Sequence, residues 1–190
     1  MKTKKTFSSL IYKNLLYSLI EVIKIKFDEL KKEMPGIFEK VKKDVRKITG
    51  KKRAGLTLGL VEMGMYQGGF IGGMHFSPGT DIVMNKTPLK ILLEQQPYEI
   101  IWSYTYHILL HEYIHALGAL SEMQCRSITL RVSEAIFKEA DHPAIILAKK
   151  GIGTYFPNLQ LIYAPPDLQR HGIPIEYIHD FDMGSYDYYS

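Results

Sequence analysis

Two histidines and a glutamate near the middle of the chain have the spacing of a metal site. They lie in the run His111-Glu112-Tyr113-Ile114-His115. Residues four apart lie one above the other on the same face of a helix, so His111 and His115 can present two imidazole nitrogens to one ion. Glu112 lies at the edge of that face, where its carboxylate can serve as general base toward a metal-activated water. The spacing therefore predicts two ligands and a general base.

Two imidazoles leave a catalytic zinc ion one protein ligand short. The remaining candidates are the acidic and imidazole side chains that follow the motif: Glu122, Glu134, His142, His171 and His179. Gly118 is predicted to end the metal-bearing helix, and Ser121 with Gln124 forms a capping-box pattern that predicts the start of the next. Glu122 would then lie in the first turn of that helix, close to His115, and is the favoured third ligand. Glu134 lies roughly 18 Å farther along and His142 farther still, but both stay open as alternatives.

The five-residue motif resembles that of the zincin metallopeptidases, in which His-Glu-x-x-His holds a catalytic zinc ion. Metzincins extend the motif with a glycine and a third ligand; Gly118 matches this extension, but Ser121 stands at the ligand position. Gluzincins instead take a glutamate from a following helix, and thermolysin-like enzymes place it about as far along the chain as Glu134. The resemblance therefore implies a gluzincin-like zinc peptidase that acts on a peptide or protein, with Zn2+ as its cofactor.

The motif is set in an apolar run from Tyr98 to Leu117, which predicts a broad, buried helix that could hold the ligands rigidly. His107 lies one turn before His111, but roughly 12 Å separate residues 107 and 115 along a straight helix, too far for one ion. His107 is therefore predicted to support the site or the core. An oxyanion could be stabilised by a tyrosine of this helix: Tyr104, Tyr106 or Tyr113.

The segment from Gly55 to Asn85 has many glycines and an extended pattern. It predicts three strands in an antiparallel meander: Leu56 to Tyr66, Phe70 to Phe76 and Asp81 to Asn85. In zincins a sheet of this kind precedes the active-site helix, and its edge strand forms the upper rim of the cleft. By that resemblance the rim is the strand around Gly73 to Phe76 or the one around Ile82 to Asn85. The glycines could equally be bulges without a role in substrate binding.

The first fifty residues carry apolar residues at helical spacing with many lysines between them. Residues 8 to 33 predict one helix, Met34-Pro35-Gly36 a break, and residues 37 to 48 a second helix. We therefore expect residues 1–50 to form a basic helical hairpin that packs on the remainder of a single domain spanning residues 1–190. The predicted fold class is α+β and zincin-like: N-terminal helices, a small antiparallel sheet, the active-site helix and a second helix after it.

Composition limits the function classes. A hydrophobic content of 46% in 190 residues is typical of a globular domain. The net charge of +4 comes mainly from lysines in the first third, and no aromatic-interleaved basic motif accompanies them, so nucleic-acid binding is not expected. The single cysteine, Cys125, cannot form an intramolecular disulfide and fits a reducing compartment, which favours the cytoplasm; its helical setting suggests a buried, inert thiol. No run predicts a signal peptide or a membrane span.

A second function fits the same residues. A zincin fold that binds zinc but is catalytically silent could serve as a protein-interaction module, with the basic N-terminal helices as its docking element. A third interpretation makes the motif coincidental, with His111 and His115 as core residues. The sequence does not determine the substrate, the oligomeric state or whether the N-terminal helices regulate access to the cleft.

Overall fold

The structure is a computed structural model, and it describes residues 3–64, 69–156, 160–161 and 174–182. These ranges contain five α-helices: α1 (Thr3–Thr49), α2 (Lys86–Gln95), α3 (Tyr98–Ala116), α4 (Glu122–Ile136) and α5 (Pro143–Lys150). They also contain six short strands: β1 (Thr57–Val61), β2 (Gly69–Phe70), β3 (Gly73–His75), β4 (Asp81–Asn85), β5 (Gln160–Leu161) and β6 (Glu176–Ile178). A 3-10 turn at Ile152–Tyr155 follows α5. The predicted α+β class is confirmed.

The main sheet has the strand order β3-β4-β1-β6 and is mixed. Strand β3 pairs with β4 in antiparallel fashion, and β6 pairs with β1 in the same way, but β1 and β4 run parallel. The predicted antiparallel meander is therefore wrong. β1 lies between two neighbours, and four of its five residues are buried, which is the continuous apolar pattern of a central strand. Residues 65–68, which include the end of the predicted first strand, lie outside the described residues.

The predicted helical hairpin is also wrong, because α1 is one helix that continues through Pro35. A proline inside a helix costs about 3 kcal/mol. Met34, Ile37 and Phe38 next to it are all buried in the core, and each such side chain contributes about 1.5–3 kcal/mol. The packing on both sides of Pro35 therefore outweighs the local cost. Towards the N-terminus the same helix leaves a row of large apolar side chains exposed: Tyr17, Leu19, Ile20, Val22 and Ile25.

Helix α3 runs through the centre of the domain. Fourteen of its nineteen residues are buried, and it contacts α1, α2, α4, α5 and the strands β3 and β4. Its bounds agree with the predicted helix from Tyr98 to Leu117. Gly118, with φ of 97°, ends it and turns the chain into α4, so α3 and α4 lie side by side with a five-residue connection. No helix in the described ranges combines the length and apolarity needed to cross a bilayer.

Candidate metal centre

The two motif histidines converge on one point at the C-terminal end of α3. The Nε2 atoms of His111 and His115 lie 3.2 Å apart. Nδ1 of His115 lies 2.6 Å from the backbone carbonyl oxygen of Ala119. A proton on Nδ1 donated to that carbonyl leaves Nε2 as the lone-pair atom, which is the tautomer that binds metals. The turn after α3 thus fixes the ring of His115 in an orientation suited to a ligand.

Glu122 reaches the same point from the first turn of α4. Its Oε1 lies 3.1 Å from Nε2 of His115, and its Oε2 lies 3.4 Å from Nε2 of His111. Hydrogen bonding to His111 is the main cause that holds the pKa of the Glu122 carboxyl below its usual range, although burial acts in the opposite direction. Arg126, one turn along α4, has its Nε 3.9 Å from Oε2. Ser121 is the N-cap residue of α4, but its side chain makes no capping hydrogen bond, so the predicted capping box is absent.

The spacing of these donor atoms suits a tetrahedral metal ion. Zinc binds histidine nitrogen and carboxylate oxygen at about 2.0–2.2 Å, which places neighbouring ligand atoms about 3.4 Å apart. The three separations among His111, His115 and Glu122 are 3.2, 3.1 and 3.4 Å. The three side chains therefore present donor atoms at separations close to those between neighbouring ligands of one ion. Glu122 as third ligand stays a prediction, since the distances show its position and not its role.

Cys125 gives this centre a second possible ligand set. Its Sγ and the histidine nitrogens of His111 and His115 all lie within 4.8 Å of one another. The thiol is buried and donates to the backbone carbonyl of His111, with Sγ and oxygen 3.1 Å apart. Burial raises the pKa of the Cys125 thiol far above its usual range, as expected of an inert thiol. The proximity of Cys125 to the site was not predicted. The sequence feature that indicates it is the short connection between α3 and α4, which brings residue 125 back beside residue 111.

Glu112 is buried beside the histidines. Desolvation by burial, and then the charge of Glu122, raise the pKa of the Glu112 carboxyl to about 8, while a hydrogen bond from the backbone N–H of His75 acts to lower it. A carboxyl whose pKa lies near neutrality can both take up and release a proton at physiological pH. The motif glutamate is therefore a buried carboxyl beside the cleft whose pKa lies well above the usual range of a glutamate.

Strand β3 covers the site, and two glycines allow its close approach to α3. A Cβ atom on Gly73 would lie 2.7 Å from Cγ2 of Ile108 and 3.3 Å from Cγ of Glu112, and one on Gly72 would lie 2.6 Å from Cδ1 of Ile108. Any larger side chain would push the strand away from the helix. β3 is also one of the two edge strands of the main sheet. Of the two predicted rim strands, the one around Gly73 to Phe76 lines the cleft, whereas Ile82 to Asn85 forms the inner strand β4.

Two of the other predicted ligand candidates, Glu134 and His142, make contacts elsewhere. Glu134 pairs with Lys149 at 2.8 Å, three turns along α4 from Glu122. His142 caps α5 by accepting a hydrogen bond from the N–H of Ala144, and its ring stacks on Phe137. His179 follows β6 at the opposite edge of the sheet from β3. His171 lies outside the described residues.

His107 lines the cleft, whereas Tyr104, Tyr106 and Tyr113 do not. The ring centroid of His107 lies 6.4 Å from that of His111, and burial lowers the pKa of His107 to about 3, so the ring is neutral. The hydroxyl of Tyr106 donates to Asp44 and that of Tyr113 to the carbonyl of Arg53. Tyr104 is fully buried, and its hydroxyl has no hydrogen-bond partner in the described ranges. An oxyanion role for any of these tyrosines stays a prediction.

A cleft of about 990 Å³ opens over the convergence point. One wall is β3 with the residues next to it, the floor is α3, and the opposite wall is formed by α4, the end of α5 and the turn after it. A volume of this size is that of a ligand-binding cleft. His111, Glu112, His115 and Glu122 all line it, so a bound molecule can reach them.

No protein-family model, curated protein or solved structure matches this chain. The geometry of the site must therefore support any proposal of function by itself.

Proposed function

We propose that the protein is a zinc-dependent peptidase that hydrolyses peptide bonds. The observation that carries the proposal is the convergence of His111, His115 and Glu122, with mutual distances of 3.1 to 3.4 Å, next to a buried Glu112 in an open cleft. Two imidazoles and one carboxylate are the protein ligands of a common class of catalytic zinc site. Such a set leaves one coordination position open for water or substrate.

Zinc bound by these atoms would polarise the scissile carbonyl and lower the pKa of a water towards neutrality. Glu112 would accept a proton from that water and deliver it to the leaving amine. The hydrogen bond from the His75 N–H holds the Glu112 carboxylate against the end of β3. Because burial raises the pKa of the Glu112 carboxyl, Glu112 would retain the proton between the two steps.

Strand β3 supports the choice of a peptide as the substrate. It is an edge strand, and it borders the cleft directly above Glu112. An edge strand can pair with an extended peptide through backbone hydrogen bonds, whatever the peptide sequence. We infer a zincin-like arrangement of the gluzincin kind, with the edge strand as rim, α3 as the active-site helix and α4 as the source of the third ligand.

One observation favours the catalytically silent alternative. Cys125 lies within 4.8 Å of both histidine nitrogens, and it is three residues from Glu122 on the same helix. If Cys125 and Glu122 both bound the metal, the ion would have four protein ligands, which is the arrangement of a structural zinc site. The protein would then hold zinc without an open position for catalysis.

The test compares wild type with Glu112→Gln after zinc loading, using a library of quenched fluorescent peptides. Glu112→Gln keeps the volume of the side chain but cannot accept a proton, so we expect kcat to fall by about 10²–10⁴ with zinc content unchanged. Glu112→Asp keeps the carboxylate but shortens its reach, so we expect its kcat to lie between those of wild type and Glu112→Gln. Equal cleavage by wild type and Glu112→Gln, or zinc binding without any cleavage, would contradict the proposed activity.

A further inference from the structure

The cleft continues beyond the two histidines into a second region, between α3, α4 and the end of α5. The side chains that line this region are His107, Thr129, Leu130, Leu147, Lys149 and Lys150. In the described part of the chain, the carboxylates that line the cleft belong to Glu112 and Glu122, both at the histidine pair. Besides these two glutamates and the two motif histidines, the polar side chains that line the cleft are the cations Arg126, Lys149 and Lys150, the hydroxyls of Ser77, Ser127 and Thr129, and the imidazoles of His75 and His107.

The two lysines at the end of α5 supply the positive charge. Both are exposed, and Lys149 pairs with Glu134 at 2.8 Å, with nearly half of each side chain accessible to solvent. An exposed pair of this kind is worth at most about 1 kcal/mol, so a ligand carboxylate can replace Glu134 at little cost. Lys150 has no acidic partner within ion-pair distance in the described ranges.

His107, which lines the same cleft, adds unused hydrogen-bonding capacity. Its Nδ1 is enclosed and has no hydrogen-bond partner among the described residues. Buried polar atoms of this kind are usually satisfied by a ligand, by water or by protein. Because the ring centroid lies 6.4 Å from that of His111, a substrate residue held beside His107 would be close to the scissile bond.

We propose, on the basis of the proposed peptidase function, that this region selects peptides with a glutamate or aspartate side chain within two residues of the scissile bond. The carboxylate would lie against Lys149 and Lys150, and its stem against Leu130 and Leu147. A cleft wall of one charge sign concentrates ligands of the opposite sign and disfavours those of the same sign. Basic residues at the same peptide positions would therefore be rejected.

The test uses zinc-loaded protein and sets of peptides that are identical except for Glu, Gln or Lys at one position near the cleaved bond. For wild type we expect kcat/KM to be about three- to tenfold higher for Glu than for Gln, mainly through KM, with a smaller ratio at high salt. In Lys149→Gln/Lys150→Gln the ratio should fall to about one. The matched control is Lys43→Gln/Lys47→Gln, which removes two exposed lysines of α1 and should leave the ratio unchanged.

A binding measurement separates this inference from the peptidase activity. Fluorescence anisotropy of the labelled Glu and Gln peptides with the Glu112→Gln variant reports recognition without cleavage. Preferential binding of the Glu peptide that disappears in Lys149→Gln/Lys150→Gln would support acidic recognition even if no peptide were cleaved. Equal binding and cleavage of Glu and Gln peptides by wild type, or a preference that survives loss of both lysines, would overturn it. Lys149 and Lys150 also stabilise the carbonyl end of α5, but that effect changes thermal stability and not the Glu-to-Gln ratio.

Discussion

At the scale of single residues, the environment of Glu112 differs from that of Glu122 although both carboxylates border the same histidines. Glu112 is buried, and its pKa is raised to about 8, whereas Glu122 is nearly half exposed, and hydrogen bonding to His111 lowers its pKa. The carboxyl with the raised pKa suits proton transfer, and the carboxylate that stays ionised suits a metal ligand. The environments of the two glutamates therefore match the different roles that the proposed mechanism gives them.

Substitution of Glu122 tests its role as a ligand directly. We expect Glu122→Ala to weaken zinc binding by more than about 100-fold, since loss of an outer hydrogen-bonding partner alone costs about 10–100-fold. Cys125→Ala should change zinc affinity by less than about tenfold, because the thiol is engaged with the carbonyl of His111. Competition with a zinc-binding dye measures both affinities.

Cobalt substitution provides an independent check on the ligand set. A cobalt-loaded protein should lack the thiolate charge-transfer absorption that a Cys125 ligand would produce. Strong thiolate absorption with normal affinity in Glu122→Ala would make Cys125 the third ligand in place of Glu122. Strong thiolate absorption with weakened affinity in Glu122→Ala would indicate four protein ligands and favour the silent, structural site.

At the scale of elements, the contact between β3 and α3 positions the rim of the cleft. Gly73→Ala would place a methyl group 2.7 Å from Ile108 and 3.0 Å from the carbonyl oxygen of Val83. We expect this substitution to destabilise the protein by about 1–3 kcal/mol and to lower kcat/KM by moving the rim away from Glu112. Thermal unfolding and peptide cleavage measure the two effects. Gly36→Ala is the control: nothing lies within 4 Å of its added methyl group, and because Gly36 lies inside α1 the substitution should keep activity unchanged and raise stability by about 0.5–1 kcal/mol. Unchanged activity and stability in Gly73→Ala would contradict the close contact.

Because α1 is continuous, we expect Pro35→Ala to raise the stability of the protein, whereas Gly73→Ala lowers it. If the helix runs unbroken, Pro35→Ala restores a backbone hydrogen bond and removes a steric clash. We expect the free energy of unfolding to rise by about 1–3 kcal/mol in urea titrations. A hairpin that needed Pro35 and Gly36 at its turn would instead lose stability on this substitution.

The sequence predicted local features of the site better than long-range ones. The four-residue spacing of His111 and His115 places both on one helix face, and the apolar run from Tyr98 to Leu117 indicates the extent of α3. Gly118 marks the turn that brings Glu122 near His115. The parallel pairing of β1 with β4 could not be read from the sequence, because it depends on how distant segments meet. The helix break predicted at Pro35 was wrong for the same reason. The local cost of a proline in a helix can be predicted from the sequence, but the tertiary burial of Met34 and Phe38 cannot.

At the scale of the whole molecule, Glu176 links three separate elements. From β6 it pairs with Lys31 of α1 at 2.8 Å and with Lys86 of α2 at 3.3 Å. The hydrogen bond from Lys31 is the main cause that lowers the pKa of the Glu176 carboxyl in the folded protein. The pair therefore stabilises the fold above the unfolded-state pKa of about 4.3, and the contribution is lost as pH falls through the lower folded-state value.

This linkage gives a pH-dependent expectation for Glu176→Gln. Near pH 7 the variant should be less stable than wild type by no more than about 1 kcal/mol, because the pair is partly exposed. The difference should shrink as pH falls below about 4. Denaturant unfolding across this pH range measures it, and Glu94→Gln, which removes an exposed carboxylate of α2, controls for the loss of one negative charge. A difference that stays constant down to pH 2 would show that charge pairing is not its source.

Zinc stoichiometry is the most direct measurement of whether His111 and His115 bind zinc. Purified protein equilibrated with zinc, freed of excess metal and analysed by mass spectrometry should contain one zinc per chain and unfold at a higher temperature than the metal-free form. His111→Ala and His115→Ala should each lose the bound zinc and the thermal shift, while His142→Ala keeps both. A wild-type protein without stoichiometric zinc, or single histidine variants that retain it, would contradict a zinc site at His111 and His115.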